Sequence, residues 1–263
     1  MDTWSGAEQQ EQPVPKSICP VCKGAGFIHP RLASGKPDFS RVTACRCVKE
    51  ESGKERQSRL LRDSGLNLPL LNIMTFDNFD WKRINLPPEQ RENLAWVFEV
   101  VHKWAESPDG WLVLTGVTGC GKTHLAVAIA KYQLQAGRPI KFVVAPDLLD
   151  HLRSTFSPES KVSYDQLFEE VKNTPLLILD DFGEHATTPW AKEKLYQIIN
   201  HRYNARLPTV ITTRCSLDEI DEPISSRFLD GKNSMVININ VPDYRESRAQ
   251  KAKTPRPTKR ERP

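Results

Sequence analysis

The stretch Trp111-Leu-Val-Leu-Thr-Gly-Val-Thr-Gly-Cys-Gly-Lys-Thr-His124 constrains this chain more than any other. An apolar run that breaks into glycines and ends on Lys-Thr predicts a buried strand, a tight loop and the start of a helix. From Gly116 to Thr123 it has the G-x-x-x-x-G-K-[ST] spacing of a nucleotide-binding P-loop. In such a loop the backbone N–H groups of Gly119, Cys120, Gly121 and Lys122 converge on phosphate oxygens, aided by the positive end of the following helix. Lys122 reaches the β/γ-phosphates and the Thr123 hydroxyl takes a position on Mg²⁺. Glycine is required where a Cβ would block the approach or forbid a positive φ. The competing reading, a glycine-rich surface turn, does not account for the strand pattern before the loop and the helix pattern after it.

At 263 residues the chain has room for one sizeable core and a small appendage. No apolar run approaches the ~20 residues needed to span a bilayer. The polar start, Met1-Asp-Thr-Trp-Ser-Gly-Ala-Glu-Gln-Gln, lacks the basic-then-apolar layout of a secretory signal, so a cytoplasmic location with no membrane contact is expected. The formal charge is +4, yet residues 245–263 hold eight Lys/Arg against two Glu, which is +6, leaving −2 for the rest. This proline-containing tail is expected to be disordered, serving either nucleic-acid contact or solubility.

Four of the six cysteines, Cys19, Cys22, Cys45 and Cys47, fall in the first fifth of the chain. A C-x-x-C turn lets two sulfurs reach one ion, and the second pair completes a tetrahedral Zn²⁺ site. So short a segment has too little apolar material to fold alone, so metal would supply much of its folding free energy. Disulfides are the rival, disfavoured in a reducing compartment. C-x-C is a less usual second pair, and His29 is an alternative to one thiol. Four thiolates leave no open position for water, which points to a structural rather than a catalytic zinc.

A charged, helix-prone stretch from Val48 to Arg62 follows, then the aromatic lead-in Thr75-Phe-Asp-Asn-Phe-Asp80 and a helix over Glu89–Ala105. After the P-loop the pattern predicts a helix from Lys122 to Gln135, a strand over Ile140–Val144, a helix over Leu148–Thr155 capped by Asp147, and a helix over Tyr164–Asn173. Alternating helices and wholly apolar strands indicate an α/β sandwich with a mostly parallel sheet.

Leu176-Leu-Ile-Leu-Asp-Asp181 then delivers two acids at the carboxyl end of a buried strand, where open α/β sheets bind ligands. Asp180 is the candidate for holding Mg²⁺ and Asp181 for orienting or deprotonating an attacking water. Trp190–Asn204 should be helical, Leu207–Thr213 a buried strand, Glu222–Leu229 a short helix carrying Arg227, and Met235–Val241 the last strand. An arginine in Arg227's position is either an ordinary surface charge or a finger that reaches a neighbouring subunit's phosphates.

With these motifs in order, the region from Leu68 to Arg245 resembles the AAA+ ATPases of the DnaC/DnaI helicase-loader group, to which the transposase helper IstB is also similar. The resemblance rests on Thr75-Phe-Asp-Asn-Phe79, Gly-Lys-Thr-His124, Leu-Leu-Ile-Leu-Asp-Asp-Phe-Gly183, Leu-Pro-Thr-Val-Ile-Thr-Thr213 and Ser-Ser-Arg-Phe228. It implies a P-loop NTPase with a five-stranded parallel sheet between helices, preceded here by a small zinc-binding domain. It further implies ATP hydrolysis at the interface of a homo-oligomer, single-stranded DNA contact and a hexameric replicative helicase as partner. The expected organisation is a flexible arm (1–16), a zinc-binding domain (17–48), a linker helix (49–67), the ATPase domain (68–244) and the basic tail (245–263). Gly116, Gly119, Cys120, Gly121, Lys122, Thr123, His124, Asp180 and Arg245 would hold the nucleotide, Arg245 as a second sensor. Lys122, Asp181, Arg227 and Thr213 would act in hydrolysis.

The cysteine cluster favours helicase loading over the transposition helper, because DnaI-like loaders carry an amino-terminal zinc-binding domain. One departure bears on mechanism: Arg214 stands where the family usually ends its sensor strand in asparagine, so that role passes to Thr213 or is altered. Slow or partner-dependent hydrolysis is then expected, and an adaptor that ATP switches without hydrolysis stays open. A P-loop small-molecule kinase is the reading from another class, against which an interface arginine counts.

Overall fold

The computed structural model describes residues 20–21, 27–28, 35, 43–44, 46–66, 68–156, 163–183 and 188–245. Cys19, Cys22, Cys45 and His29, the arm over 1–16 and the tail beyond Arg245 lie outside them, and Cys47 is described only in its backbone. The chain divides into two units, Met1–Arg56 and Gln57–Pro263, with the boundary inside helix α1 (Arg46–Asp63). In the first unit, strands β1 (Phe27–Ile28) and β2 (Thr43–Ala44) pair antiparallel.

The second unit continues as α2 (Pro88–Glu106), β3 (Trp111–Thr115), α3 (Lys122–Gln135), β4 (Lys141–Val144), α4 (Ala145–Ser154) and α5 (Tyr164–Asn173). It then runs through β5 (Leu177–Asp180), α6 (Pro189–Asn204), β6 (Thr209–Thr213), α7 (Glu222–Phe228) and β7 (Ser234–Asn238). The strands lie in the order β4-β5-β6-β3-β7, every neighbouring pair parallel, which is the five-stranded AAA+ arrangement that the resemblance implied. Among the described residues no helix is long and apolar enough to cross a membrane.

Alternation along the strands builds the two cores. Successive side chains leave opposite faces, so an apolar run buries both. Leu112, Leu114, Ile178 and Val210 join Leu94, Val97, Leu125 and Ile129 of α2 and α3. Trp111, Val113, Leu179 and Ile211 meet Leu148, Leu152, Ile198 and Phe228 of the helices on the other face.

Two local features differ from expectation. Asp147 is the third residue of α4, whose N-cap is Val144; Pro146 draws the helix start forward, since a proline in the first turn forfeits no intrahelical hydrogen bond. The last strand ends at Asn238, and the Ile239 amide then donates to the Thr115 carbonyl at 2.9 Å before the chain reaches Pro242.

The outer side of edge strand β4 is covered by the segment that follows α1. Phe142 donates its amide to Ser64 O at 2.7 Å, and Lys141 Nζ reaches Asp63 O at 3.2 Å. Gly65, at φ +83°, permits this approach, because a Cβ there would lie 2.3 Å from the Phe142 carbonyl oxygen.

At the amino-terminal end of β6, Arg202 of α6 is completely buried. Its Nε donates to Thr209 Oγ1 (2.9 Å), Nη2 to Pro208 O (2.7 Å), and Nη1 to Thr174 O (2.8 Å), Lys172 O (3.0 Å) and Val171 O (3.4 Å). One guanidinium therefore ties α5, α6 and β6 together.

Candidate nucleotide site

The site is assembled at the carboxyl ends of three adjacent strands. β3 leads into the loop from Gly116 to Gly121, β5 ends on Asp180, and β6, lying between them, ends on Thr212 and Thr213. Open parallel sheets bind ligands at this edge. Gly121, at φ 114°, precedes α3, whose first residue is Lys122, so the free N–H groups of that helix end point out of the loop. Lys122 Nζ folds back onto the loop, donating to Gly116 O at 2.7 Å and Val117 O at 2.9 Å. Cys120 is buried beneath it, which pushes its thiol above the ordinary value.

Asp180 is the centre of a small polar cluster. Thr123 Oγ1 lies 3.0 Å from its Oδ1 and 3.1 Å from its Oδ2, and Thr212 Oγ1 donates to Oδ1 at 2.6 Å. The carboxyl group is 5% exposed, and this burial raises its pKa above 3.8, against the hydrogen bonds from Thr212 and Thr123. Its hydrogen-bond partners are hydroxyls, and the Lys122 ammonium adds a smaller favourable charge. The oxygen set of Asp180 and Thr123 fits a hard divalent cation such as Mg²⁺.

Asp181 follows in the left-handed region at φ +56°, a conformation that aspartate tolerates better than most residues. Its amide donates to Thr212 Oγ1 at 3.0 Å and the next amide, Phe182, to Thr212 O at 2.8 Å, so β6 fixes the turn.

Strand parity separates the two threonines. Thr212 shares the face of Val210, toward α3, and meets Asp180; Thr213 shares the face of Ile211 and is fully buried. The Thr213 hydroxyl donates to Phe182 O at 2.7 Å and accepts from the Cys215 amide at 3.0 Å. The residue of the sensor strand that touches the acid is thus Thr212. The sequence passes that role to Thr213 or leaves it altered; the alternation of Val210 and Ile211, counted forward from the core, distinguishes the two threonines.

A cavity of about 490 Å³ opens beside the loop, within the size range of small-molecule sites. It is lined by Gly119 to His124 and Arg245 together with the apolar Leu70, Leu71, Ile73, Met74 and Phe79, the last packed against Gly121 and His124. A lining that combines a glycine-rich loop at a helix start with apolar side chains fits a nucleotide's phosphates and base. His124 forms part of the wall, its Nε2 2.9 Å from Thr75 O and its ring edge-on to Phe79 at 5.2 Å. Burial holds its pKa below the usual value, and since a carbonyl oxygen only accepts, Nε2 is the donor.

Arg227 is not among the residues lining this cavity. On α7 it reaches Asn200 Oδ1 with Nη2 at 2.7 Å, touches the Pro223 carbonyl, and lies over the rings of Tyr196 and Tyr203 at 5.3 and 5.5 Å. The structure thus gathers Gly119 to His124, Asp180 and Arg245 around one region and puts Arg227 and Thr213 elsewhere. Arg214, next to Thr213, is exposed. Among the described residues no cluster of His, Cys, Asp or Glu is suited to a metal ion.

Fold and site together define a P-loop nucleotide-binding protein of AAA+ architecture. The chain matches the family described as IstB-like ATP binding protein over residues 42–251, and it belongs to that family. It is 24% identical over 204 residues to the replicative helicase loader DnaC of Escherichia coli (strain K12), covering 75% of this chain and 79% of that one. To the replicative helicase loader DnaI of Bacillus subtilis (strain 168) it is 26% identical over 199 residues, 73% of this chain and 60% of the relative.

Among solved structures, a DnaC helicase loader superimposes with a TM-score of 0.54 at 22% identity over 65% of this chain and 99% of that one. DnaI gives 0.54 at 20% over 72% and 98%. A DNA replication initiation factor gives 0.55 at 19%, and there the match spans 54% of the other chain. At these identities the superpositions establish the fold.

Proposed function

We propose that this protein is an ATP-dependent loader of a hexameric replicative DNA helicase onto single-stranded DNA. The observation that carries the reading is Asp180 held between Thr123 and Thr212 at the mouth of the P-loop, in a chain whose relatives are named replicative helicase loaders. The loop amides and Lys122 would hold the phosphates, Lys122 exchanging the Gly116 and Val117 carbonyls for phosphate oxygens. Thr123 and Asp180 would hold Mg²⁺, which when bound neutralises phosphate charge. Asp181, set by the Thr212 contact, is the candidate for orienting water.

Arg227 lies outside the cavity, which suits a role toward the nucleotide of a neighbouring copy in a homo-oligomer. Cys19, Cys22, Cys45 and Cys47 are the candidate ligands of a structural zinc in an amino-terminal domain that docks on the helicase. The organisation proposed is that domain over 17–48, a linker over 49–67 and an ATPase domain over 68–244. Thr213 would act only as support for the turn after β5, with Arg245 as a sensor in the cavity wall beside the P-loop.

The test is a loading assay with the purified protein, its host's replicative helicase and single-stranded circular DNA. ATP-dependent deposition of the helicase is expected, abolished by Lys122→Ala. A protein that neither bound the helicase nor altered its loading would overturn the reading.

A further inference from the structure

Part of the cavity wall comes from a segment outside both the P-loop and the Leu176–Asp181 strand. Beyond β7 the chain passes over the P-loop as Val241-Pro-Asp-Tyr-Arg245. Tyr244 donates its amide to Gly119 O at 3.0 Å. The Asp243 carboxylate is packed on the same glycine, where a Cβ would fall 1.9 Å from Oδ1, and it accepts the Arg245 amide at 2.7 Å. Gly119, at φ +73°, is therefore glycine for two reasons, its own backbone and its neighbour.

The segment is held from a distant part of the chain. Arg83, 7% exposed, donates from Nη1 to Pro242 O at 2.8 Å and from Nη2 to Asp243 O at 3.2 Å, and its guanidinium lies 5.1 Å from the Tyr244 ring centroid. A planar fork on two successive carbonyls fixes both position and orientation, which an ammonium group does not do. Arg83, Tyr244, Arg245 and Gly119 all line the one cavity.

We propose that Arg83 is a positioning residue of the nucleotide site: by clamping residues 242–244 onto Gly119, it holds Arg245 in the cavity wall beside the P-loop. The claim rests on the reading of this cavity as an ATP site. Because the clamp reaches the loop through the Tyr244–Gly119 bond, it couples the lead-in before α2 to the loop that receives the phosphates. Arg83 acts through Arg245 and is itself hydrogen-bonded to backbone.

The experiment uses the full chain with Arg83→Met, Arg83→Lys, Tyr244→Ala, Arg245→Ala and the Arg83→Met/Arg245→Ala pair. Fluorescent ATP and ADP analogues give Kd values, and hydrogen exchange gives protection of the Tyr244 amide. Arg83→Met should weaken ATP about tenfold, the scale of one charge-assisted hydrogen bond, and ADP clearly less. Arg83→Lys should not restore the affinity, and the double variant should be no weaker than Arg245→Ala alone.

Tyr244 exchange should accelerate in Arg83→Met without nucleotide. Should that variant fail to fold, Tyr244→Ala carries the same comparison with a smaller expected loss. Unchanged Tyr244 exchange overturns the clamp. Equal losses for ATP and ADP, or multiplying effects of the two arginine variants, overturn the positioning role. An unmodified chain that binds no ATP overturns the ATP-site reading and the positioning role with it, while the exchange measurement still decides the clamp by itself.

Discussion

At the amino-terminal end of β6, Arg202 directs all three guanidinium nitrogens to protein acceptors, four carbonyls and the Thr209 hydroxyl. At the carboxyl end, Asp180 is met by two neutral hydroxyls, Thr123 and Thr212. Both charges are buried, and burial pushes each toward neutrality: Arg202 down to about 9 and Asp180 above its ordinary value. The arginine has nothing left to offer a ligand. The carboxylate stands beside the Thr123 hydroxyl, an oxygen pair suited to a hard cation. One end of the sheet is closed by its charge and the other is prepared by it.

The largest expected effect is at the closed end. Arg202→Met removes the guanidinium donor from the carbonyls of Val171, Lys172, Thr174 and Pro208, of which Pro208 keeps the Leu177 amide, and should cost about 3–5 kcal/mol of stability in chemical denaturation. Nucleotide affinity of the folded fraction should be retained. A stable variant, or one crippled in binding alone, would break the comparison.

Asp180→Asn should do the reverse. It relieves a buried charge, so the unfolding midpoint without ligand should hold or rise, while Mg²⁺-dependent ATP hydrolysis should fall about 10²–10³-fold. Unaltered turnover would remove Asp180 from the site.

The two threonines sharpen the contrast at a smaller scale. Each valine replacement forfeits two hydrogen bonds and should lower stability by about 2 kcal/mol. Thr212→Val should also slow ATP turnover, since it touches Asp180 and the Asp181 amide. Thr213→Val should leave turnover alone, because its bonds are to Phe182 and Cys215. Turnover lost in Thr213→Val and kept in Thr212→Val would reverse the assignment.

The smallest effect is in pH. With Asp180 raised, the folded chain keeps a proton there across a range in which the unfolded chain has lost it. The resulting stabilisation is complete below about pH 4 and disappears as pH rises through the folded value. Thermal melts of the unmodified chain and Asp180→Asn should therefore diverge, in the variant's favour, as pH climbs toward neutrality. Stabilisation by Mg²⁺ and ATP should grow over the same range, since the cation requires the carboxylate. Parallel curves would mean that Asp180 titrates as an ordinary acid.

What the sequence disclosed and what it withheld follow from how local each feature is. The P-loop and the Leu176–Asp181 strand are contiguous, so their residue types and spacing suffice to identify them. Thr212 was missed because parity along β6 matters only once its neighbours β5 and β3 are known. Nothing in the pattern of α6 singles out Arg202, and only the packing of α5 against α6 shows that it is enclosed. Arg83 lies about 160 residues from the carbonyls it binds, and nothing near it in the chain announces them. Asp147 suits a cap because acids favour that place; Pro146 moves the helix start forward instead.

The Ser64–Gly65 turn has a consequence for how copies of this protein can meet. An exposed edge strand is a template on which another chain can add a strand. On β4 the Phe142 amide is already given to Ser64, and the bulk of the turn stands where an incoming backbone would lie. Sheet-to-sheet polymerisation is blocked on that side, so contacts made there must use side chains rather than a continued β-ladder. A substitution at Gly65 should expose the ladder and make self-association of the wrong kind available to the chain.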